Sequence, residues 1–328
     1  MELKNLLNMV IGFLLCTAHL HAVNVNKELM HPWKNVSSRY SDYYKSSDVN
    51  KVDVVHIKKK YILSSEPIDV IFVCHAKDAR TLNLAIDGIK KNGQNVRRVI
   101  VISSEKLTDQ AEWFDEALFP FTKEILALEI FKGSEQEAND LVAKPNPSGL
   151  VAKRPRIGWI YQQLLKLYAP FVVPGISSNV LAVDADTVFL RPVAFINEQG
   201  QSLFNTGKEC HVPYFKHAAR LLPGFKRQYM QHSGVCHHML FQRSILEDLF
   251  TVISSVHKTE VWRAICRCID LKELHKCALS EYEIYFNFAF ARTEQVKVRP
   301  LSWKNIQYGD ISKPLLGGLD YVSCHHLL

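Results

Sequence analysis

After Asp69, the run Val70-Ile71-Phe72-Val73-Cys74 is apolar without a break and of strand length. That pattern belongs to a strand buried on both faces. Residues 78–92 then carry Leu82, Ala85, Ile86 and Ile89 at helical spacing and close on Asn92-Gly93, a helix stop. Val96 to Ile102 is a second β-rich run. Strand, helix and strand at this spacing form a βαβ unit, which commits the chain to a parallel sheet. A third buried strand, Val180-Leu181-Ala182-Val183, runs directly into Asp184-Ala185-Asp186. In open α/β sheets, ligands bind beyond the carboxyl ends of the strands. Two carboxylates are therefore delivered where chemistry is expected.

Around these strands the chain predicts helices at about 109–118, 157–169, 242–257, 260–275 and 280–291. Strand-like stretches follow at Val296–Val298 and from Trp303 to Tyr308. No composition shift marks a boundary, so residues 67–328 read as one domain with an elaborated C-terminal half. Of 328 residues, 47% are hydrophobic and 22% charged, which excludes wholesale disorder. The net charge of +7 suits anionic ligands without choosing among them.

Residues 1–22 read as a signal peptide or signal anchor. Lys4 precedes an apolar run from Met9, and Ala22 ends a small-residue cleavage site. Residues 23–66 read as a polar leader, with a glycosylation sequon at Asn35. The expected location is the secretory pathway, the periplasm or the outside, or a membrane surface if the signal stays uncleaved. Cys16 lies in the signal, and seven of the eight cysteines remain. Export would permit disulfides among them, but Cys74 in its apolar strand reads as a buried thiol.

A strand delivering Asp-x-Asp fits two chemistries. In one, the carboxylates hold a divalent cation against a nucleotide-sugar diphosphate. In the other, Asp184 is the nucleophile of a haloacid-dehalogenase-like phosphatase. That second chemistry also needs a downstream acidic pair. The chain has no Asp-Asp, and Gly309-Asp310 is not followed by the second acid.

Five ordered pieces carry a resemblance. They are Cys74-His75-Ala76-Lys77-Asp78, Gly158-Trp159 through Lys166, Val183-Asp184-Ala185-Asp186-Thr187, Ser233-Gly234 through Leu240, and Ser280-Glu281-Tyr282-Glu283. Together they resemble a GT-A type glycosyltransferase with a DxD motif. The set is similar to a bacterial glycosyltransferase-like family of unassigned function, and more distantly to the family 8 glycosyltransferases. The resemblance implies a GT-A-like (Rossmann-like) mixed sheet with helices on both faces.

It also implies a metal-dependent enzyme moving a sugar from a nucleotide-diphosphate sugar to a glycan, lipid or protein acceptor. No nucleic acid is expected as a partner, and membrane association would run through the N-terminus. Asp184 and Asp186 would hold Mn²⁺ or Mg²⁺, with C-terminal His325 as a third ligand. His75, Lys77 and Asp78 would line the nucleotide pocket, and Arg154 and Arg156 would meet the diphosphate. Trp159, Gln162, Gln163 and Lys166 share one polar helix face, which gives Trp159 and Gln163 a ligand-side role. The catalytic expectations are Glu281, as the base toward the acceptor hydroxyl, and Asp186. Ser280 with Glu283 reads as a capping box. Of adjacent His237 and His238, at most one can face inward. A secreted carbohydrate-binding protein that keeps a transferase fold is the non-enzyme alternative.

Overall fold

The computed structural model of the chain describes residues 55–143, 157–229, 232–311 and 317–325. The signal segment, the leader up to residue 54 with its sequon, Arg154, Arg156, His326 and the side chain of His325 lie outside the described residues.

The fold is mixed α/β. A five-stranded sheet has the order β3-β2-β1-β4-β7. Its strands are β1 (Ile68–Val73), β2 (Val96–Ser103), β3 (Glu112–Asp115), β4 (Asn179–Val183) and β7 (His238–Gln242). β1 to β4 run parallel, and β7 pairs antiparallel with β4, with Val183 opposite His238. The period-2 alternation of side chains sorts each strand between two helical layers. Val70 and Phe72 of β1, with Leu181 and Val183 of β4, pack beneath α1 (Ala79–Asn92) through Leu82, Ala85, Ile86 and Ile89. Ile71, Val73, Val180 and Ala182 face the opposite layer. That layer contains α4 (Ile157–Val172), α6 (Arg243–His257) and α8 (Glu281–Arg292), whose apolar stripes supply Leu164, Leu249 and Tyr285. The helices on both faces and the parallel-dominated sheet are the expected fold class.

Two smaller sheets build the C-terminal half. One has the order β5-β10-β9, from β5 (Thr187–Phe189), β9 (Trp303–Gln307) and β10 (Tyr321–His325). The other pairs β6 (Ser202–Phe204) with β8 (Val296–Val298). The remaining helices are α2 (Lys123–Ile130), α3 (Glu135–Ala143), α5 (Val212–Leu221) and α7 (Val261–Arg267).

Two expected helices are corrected. Residues 109–118 contain the edge strand β3 and a 3-10 turn at Glu116–Leu118. Ala111, Phe114 and Leu118 imitate helical spacing, but pairing with β2, Phe114 opposite Ile102, overrides it. The helix expected over 260–275 ends at Arg267, and a separate 3-10 turn capped by Asp270 follows.

Residues 55–66 are packed on the domain. Val55 is buried, the Lys59 amide donates to Arg292 O at 2.7 Å, and the Asn179 side chain donates to Ser64 O at 3.0 Å. No disulfide joins the described cysteines, and Cys74 is buried. No described helix is long and apolar enough to cross a membrane.

Candidate active site

β4 stops at Val183, and the next three residues form a turn whose backbone is pinned by three distant elements. The Asp184 amide donates to His237 O at 2.9 Å, and the Thr187 amide donates back to Asp184 O at 3.0 Å. Ala185 O accepts the Thr81 hydroxyl of α1 at 3.0 Å, and Asp186 O accepts the Cys324 amide of β10 at 2.8 Å. A buried carbonyl or amide left unpaired is costly, so each bond fixes the turn as well as satisfying it.

Asp184 Oδ1 accepts two donors, Lys166 Nζ at 2.6 Å and the Tyr282 hydroxyl at 3.1 Å. Lys166 Nζ is also 2.9 Å from Glu281 Oε1. Asp186 Oδ1 accepts the Ser323 hydroxyl at 3.1 Å. His237 Nδ1 lies 3.4 Å from Asp184 Oδ2, and its Nε2 is 3.1 Å from Asn305 Oδ1. One ligating atom from each of Asp184, Asp186 and His237 falls within 4.8 Å of the others, a grouping that could hold a metal ion.

Burial and charge work against each other here. Burial disfavours the Lys166 ammonium, but Asp184 and Glu281 together outweigh it and hold the lysine charged. Burial would raise Asp184, yet Lys166 and His237 bring it well below the usual carboxylate range. Burial raises Glu281, with Lys166 opposing and Asp184 adding. Burial lowers His237, and its contact with Asp184 more than reverses that, so the imidazole is raised.

His237 has φ of 68°, in the left-handed region that a residue with a Cβ seldom adopts. Such a backbone persists where its surroundings over-determine it. The approach to it is tight: a Cβ on Gly234 would lie 2.6 Å from Phe286 Cβ and 2.8 Å from Tyr282 O. Only a glycine lets this segment lie against α8.

Residues 86–301 match the family described as "Family of unknown function (DUF6492)". The chain belongs to this family. A search of the curated proteins finds no match. Among solved structures, the chain is similar to an active-site mutant of LgtC at 10% identity and TM-score 0.37, over 78% of this chain and 86% of that one. It is also similar to WbbM, a bifunctional glycosyltransferase in its apo form, at 10% identity and TM-score 0.39, over 80% of this chain and 46% of that one.

Within this DUF6492 chain, the matched span holds Lys166, Asp184, Asp186, His237 and Glu281, whereas Asn305 and Ser323 lie beyond it. His75, Lys77 and Asp78 follow β1 at the same end of the sheet as Asp184. His75 Nδ1 accepts the Lys77 amide at 3.2 Å, and all three side chains reach solvent at least in part.

The polar face of α4 runs from half-buried Trp159 and Gln162 to buried Gln163 and Lys166. Trp159 donates its indole N–H to Leu279 O at 3.0 Å, buried Gln163 accepts the Glu281 amide at 3.3 Å, and Lys166 closes the row on Glu281. These bonds form a seam between α4 and the entry to α8, in which Gln163 is buried and Trp159 is half-buried. Glu281 is likewise buried against Lys166, a place suited to holding that lysine rather than to receiving an acceptor proton.

Half of the expected capping box is present: Ser280 Oγ accepts the Glu283 amide at 3.3 Å. The Glu283 carboxylate instead takes the Ser233 hydroxyl and, at 2.8 Å, Asn287 Nδ2. Of the paired histidines, His237 meets the turn. His238 is buried among Phe189, Phe195 and Tyr321, and burial brings its ring down to about 3. His325 ends β10 at the register position opposite Gln307.

Proposed function

We propose that this chain is a metal-dependent glycosyltransferase that moves a sugar from a nucleotide-diphosphate sugar to an acceptor hydroxyl. One observation carries the reading. The strand order reverses between β1 and β4, and the Asp184-Ala185-Asp186 turn stands at the carboxyl end of β4 beside that reversal. This is where open α/β sheets bind nucleotides.

The donor set of two carboxylates and an imidazole fits a divalent cation and suits Mn²⁺ better than Mg²⁺, which favours oxygen alone. A cation held by these residues would neutralise charge on a departing diphosphate. The residues of the chain orient and hold. Lys166 and Tyr282 fix Asp184, Ser323 fixes Asp186, and His75, Lys77 and Asp78 border the mouth beside β1 as nucleotide contacts. Arg154 and Arg156 join the proposal as diphosphate partners from the sequence alone, as does residues 1–22 carrying the domain into an exported or membrane-anchored setting. A phosphatase using Asp184 as nucleophile fits less well, because Lys166, Tyr282 and His237 already surround that carboxylate.

Thermal-shift titration with UDP, GDP, CDP and dTDP, each with and without Mn²⁺, tests the reading. One diphosphate should raise the melting temperature when Mn²⁺ is present, and EDTA or Asp186→Asn should abolish the rise. A rise indifferent to EDTA removes the metal, and no rise with any nucleotide overturns the reading.

A further inference from the structure

Resting on that reading of a cation at Asp184 and Asp186, we propose that His237 is a protein ligand of the metal and that Asn305 is the positioning residue that sets its tautomer. The ring is aimed by its own backbone. His237 O accepts the Asp184 amide at 2.9 Å, and the left-handed φ of 68° at the entry to β7 turns the imidazole onto the acidic turn.

The spacing of ring and carboxylate suits two ligands of one cation. Nδ1 to Asp184 Oδ2 is 3.4 Å, long for an N–H···O bond, whose usual length is about 2.9–3.0 Å. Adjacent ligands around a cation with bonds of about 2.1 Å stand roughly 3 Å apart, close to the spacing seen. The far side of the ring supplies the tautomer. Nε2 meets Asn305 Oδ1 at 3.1 Å, so the proton belongs on Nε2 and the lone pair on Nδ1 faces the carboxylates. Trp303 meets the ring edge-on at 5.1 Å between centroids and limits its rotation.

Each member of the set thus has its own outer support. Lys166 and Tyr282 hold Asp184, Ser323 holds Asp186, and Asn305 holds His237. Two of these supports come from the small sheet, Asn305 on β9 and Ser323 on β10, so that sheet frames the site from outside. The adjacent His238 cannot take the role, because it is buried under Phe189, Phe195 and Tyr321.

The test uses the full chain and Mn²⁺ alone. Free Mn²⁺ is followed by its solution EPR signal, and nitrogen ligation by the ¹⁴N modulation of bound Mn²⁺ in pulsed EPR. Wild type should bind Mn²⁺ with imidazole modulation, and Asp186→Asn should lose binding. His237→Ala should weaken binding tenfold or more and lose the modulation, whereas His325→Ala should keep it. Asn305→Leu should weaken binding about tenfold and Asn305→Asp should restore it, as expected of an outer partner.

Wild-type modulation that survives in His237→Ala, or that disappears in His325→Ala, overturns the assignment and leaves the carboxylate site standing. Binding of Mn²⁺ indifferent to Asp186→Asn, or absent in wild type, overturns the underlying metal reading instead. If His237→Ala fails to fold, the modulation of wild type against His325→Ala still decides. Equal binding by Asn305→Leu and wild type overturns the role of Asn305.

Discussion

A buried ionisable side chain either keeps its charge with partners or gives it up, and this chain shows both outcomes. Lys166 keeps its charge because two carboxylates stand within 3 Å of it. His217 on α5 gives its charge up. Its Nε2 donates to Ile265 O at 3.0 Å, and burial, helped by the Arg220 charge nearby, brings the ring down from 6.5 to about 4. An imidazole lowered in the folded state binds its proton more readily when unfolded. Its contribution is fully present above about pH 6.5 and is lost as pH falls toward 4. At pH 5 the loss from this ring amounts to about 2 kcal/mol. Urea denaturation of wild type and His217→Gln at pH 7.5 and pH 5 should therefore show the variant losing about 2 kcal/mol less than wild type. Parallel losses would show that His217 does not carry the effect.

At the scale of elements, α4 and α8 are joined by polar groups one helical face apart. Trp159, Gln163 and Lys166 occupy spacings of four and three on α4, which align them on one side. They meet Leu279 and Glu281 at the entry to α8. Removing one partner of a buried ion pair costs about 3–5 kcal/mol, because it strands the other charge. Lys166→Met should lower stability by about that much, and Lys166→Met/Glu281→Gln should recover part of it. Chemical denaturation of wild type, Lys166→Met, Glu281→Gln and the double variant measures this, and strict additivity of the two substitutions would show that the pair is uncoupled.

The same seam shows what a sequence reveals about an element. Periodicity identified the polar stripe of α4 correctly, as it did β1, α1, β2 and β4. A stripe says that one face differs, however, and not whether water, ligand or a second helix meets it. β3 was illegible for a related reason. Glu112–Asp115 is four residues long, and its strand character comes from β2 alongside. His237 was half legible. The pair of histidines announced that one could face inward, but its choice depends on β7 lying antiparallel to β4 and on a positive φ. Asn305 and Ser323 carried no signal, since only the pairing of β9 and β10 brings them to the turn.

Over the whole molecule, the two ends of β4 divide the work. Its carboxyl end carries Asp184 and Asp186. At its amino end Asn179 donates to Ser64 O at 3.0 Å, and a second buried charge cluster, carried by α6 and α8, also ties residues 55–66 to the domain. Asp248 on α6 accepts from Lys59, from the Tyr61 hydroxyl at 2.6 Å and from Arg292 Nε at 2.5 Å. Arg292 also donates to Ile57 O at 3.0 Å, and Gln295 clasps the Tyr61 backbone from both sides, its own oxygen taking the amide at 2.5 Å and its nitrogen giving to the carbonyl at 3.0 Å. Asp248→Leu should leave the Arg292 guanidinium buried without its acid and cost about 3–5 kcal/mol. The loss should be felt first by the segment that Asp248 holds. Trypsin should cut at Lys58, Lys59 or Lys60 faster in the variant than in wild type. Mn²⁺ binding should persist, because Asp248 bonds Lys59, Tyr61 and Arg292 and not the acidic turn. Replacing the pair together, Asp248→Leu with Arg292→Met, should cost less than the single change, since the buried guanidinium is then gone and the partly exposed Lys59 can turn to solvent. Equal trypsin resistance in Asp248→Leu and wild type would mean that other contacts hold residues 55–66. Loss of Mn²⁺ binding in a variant that stays folded would show that the Asp248 cluster and the acidic turn are coupled after all.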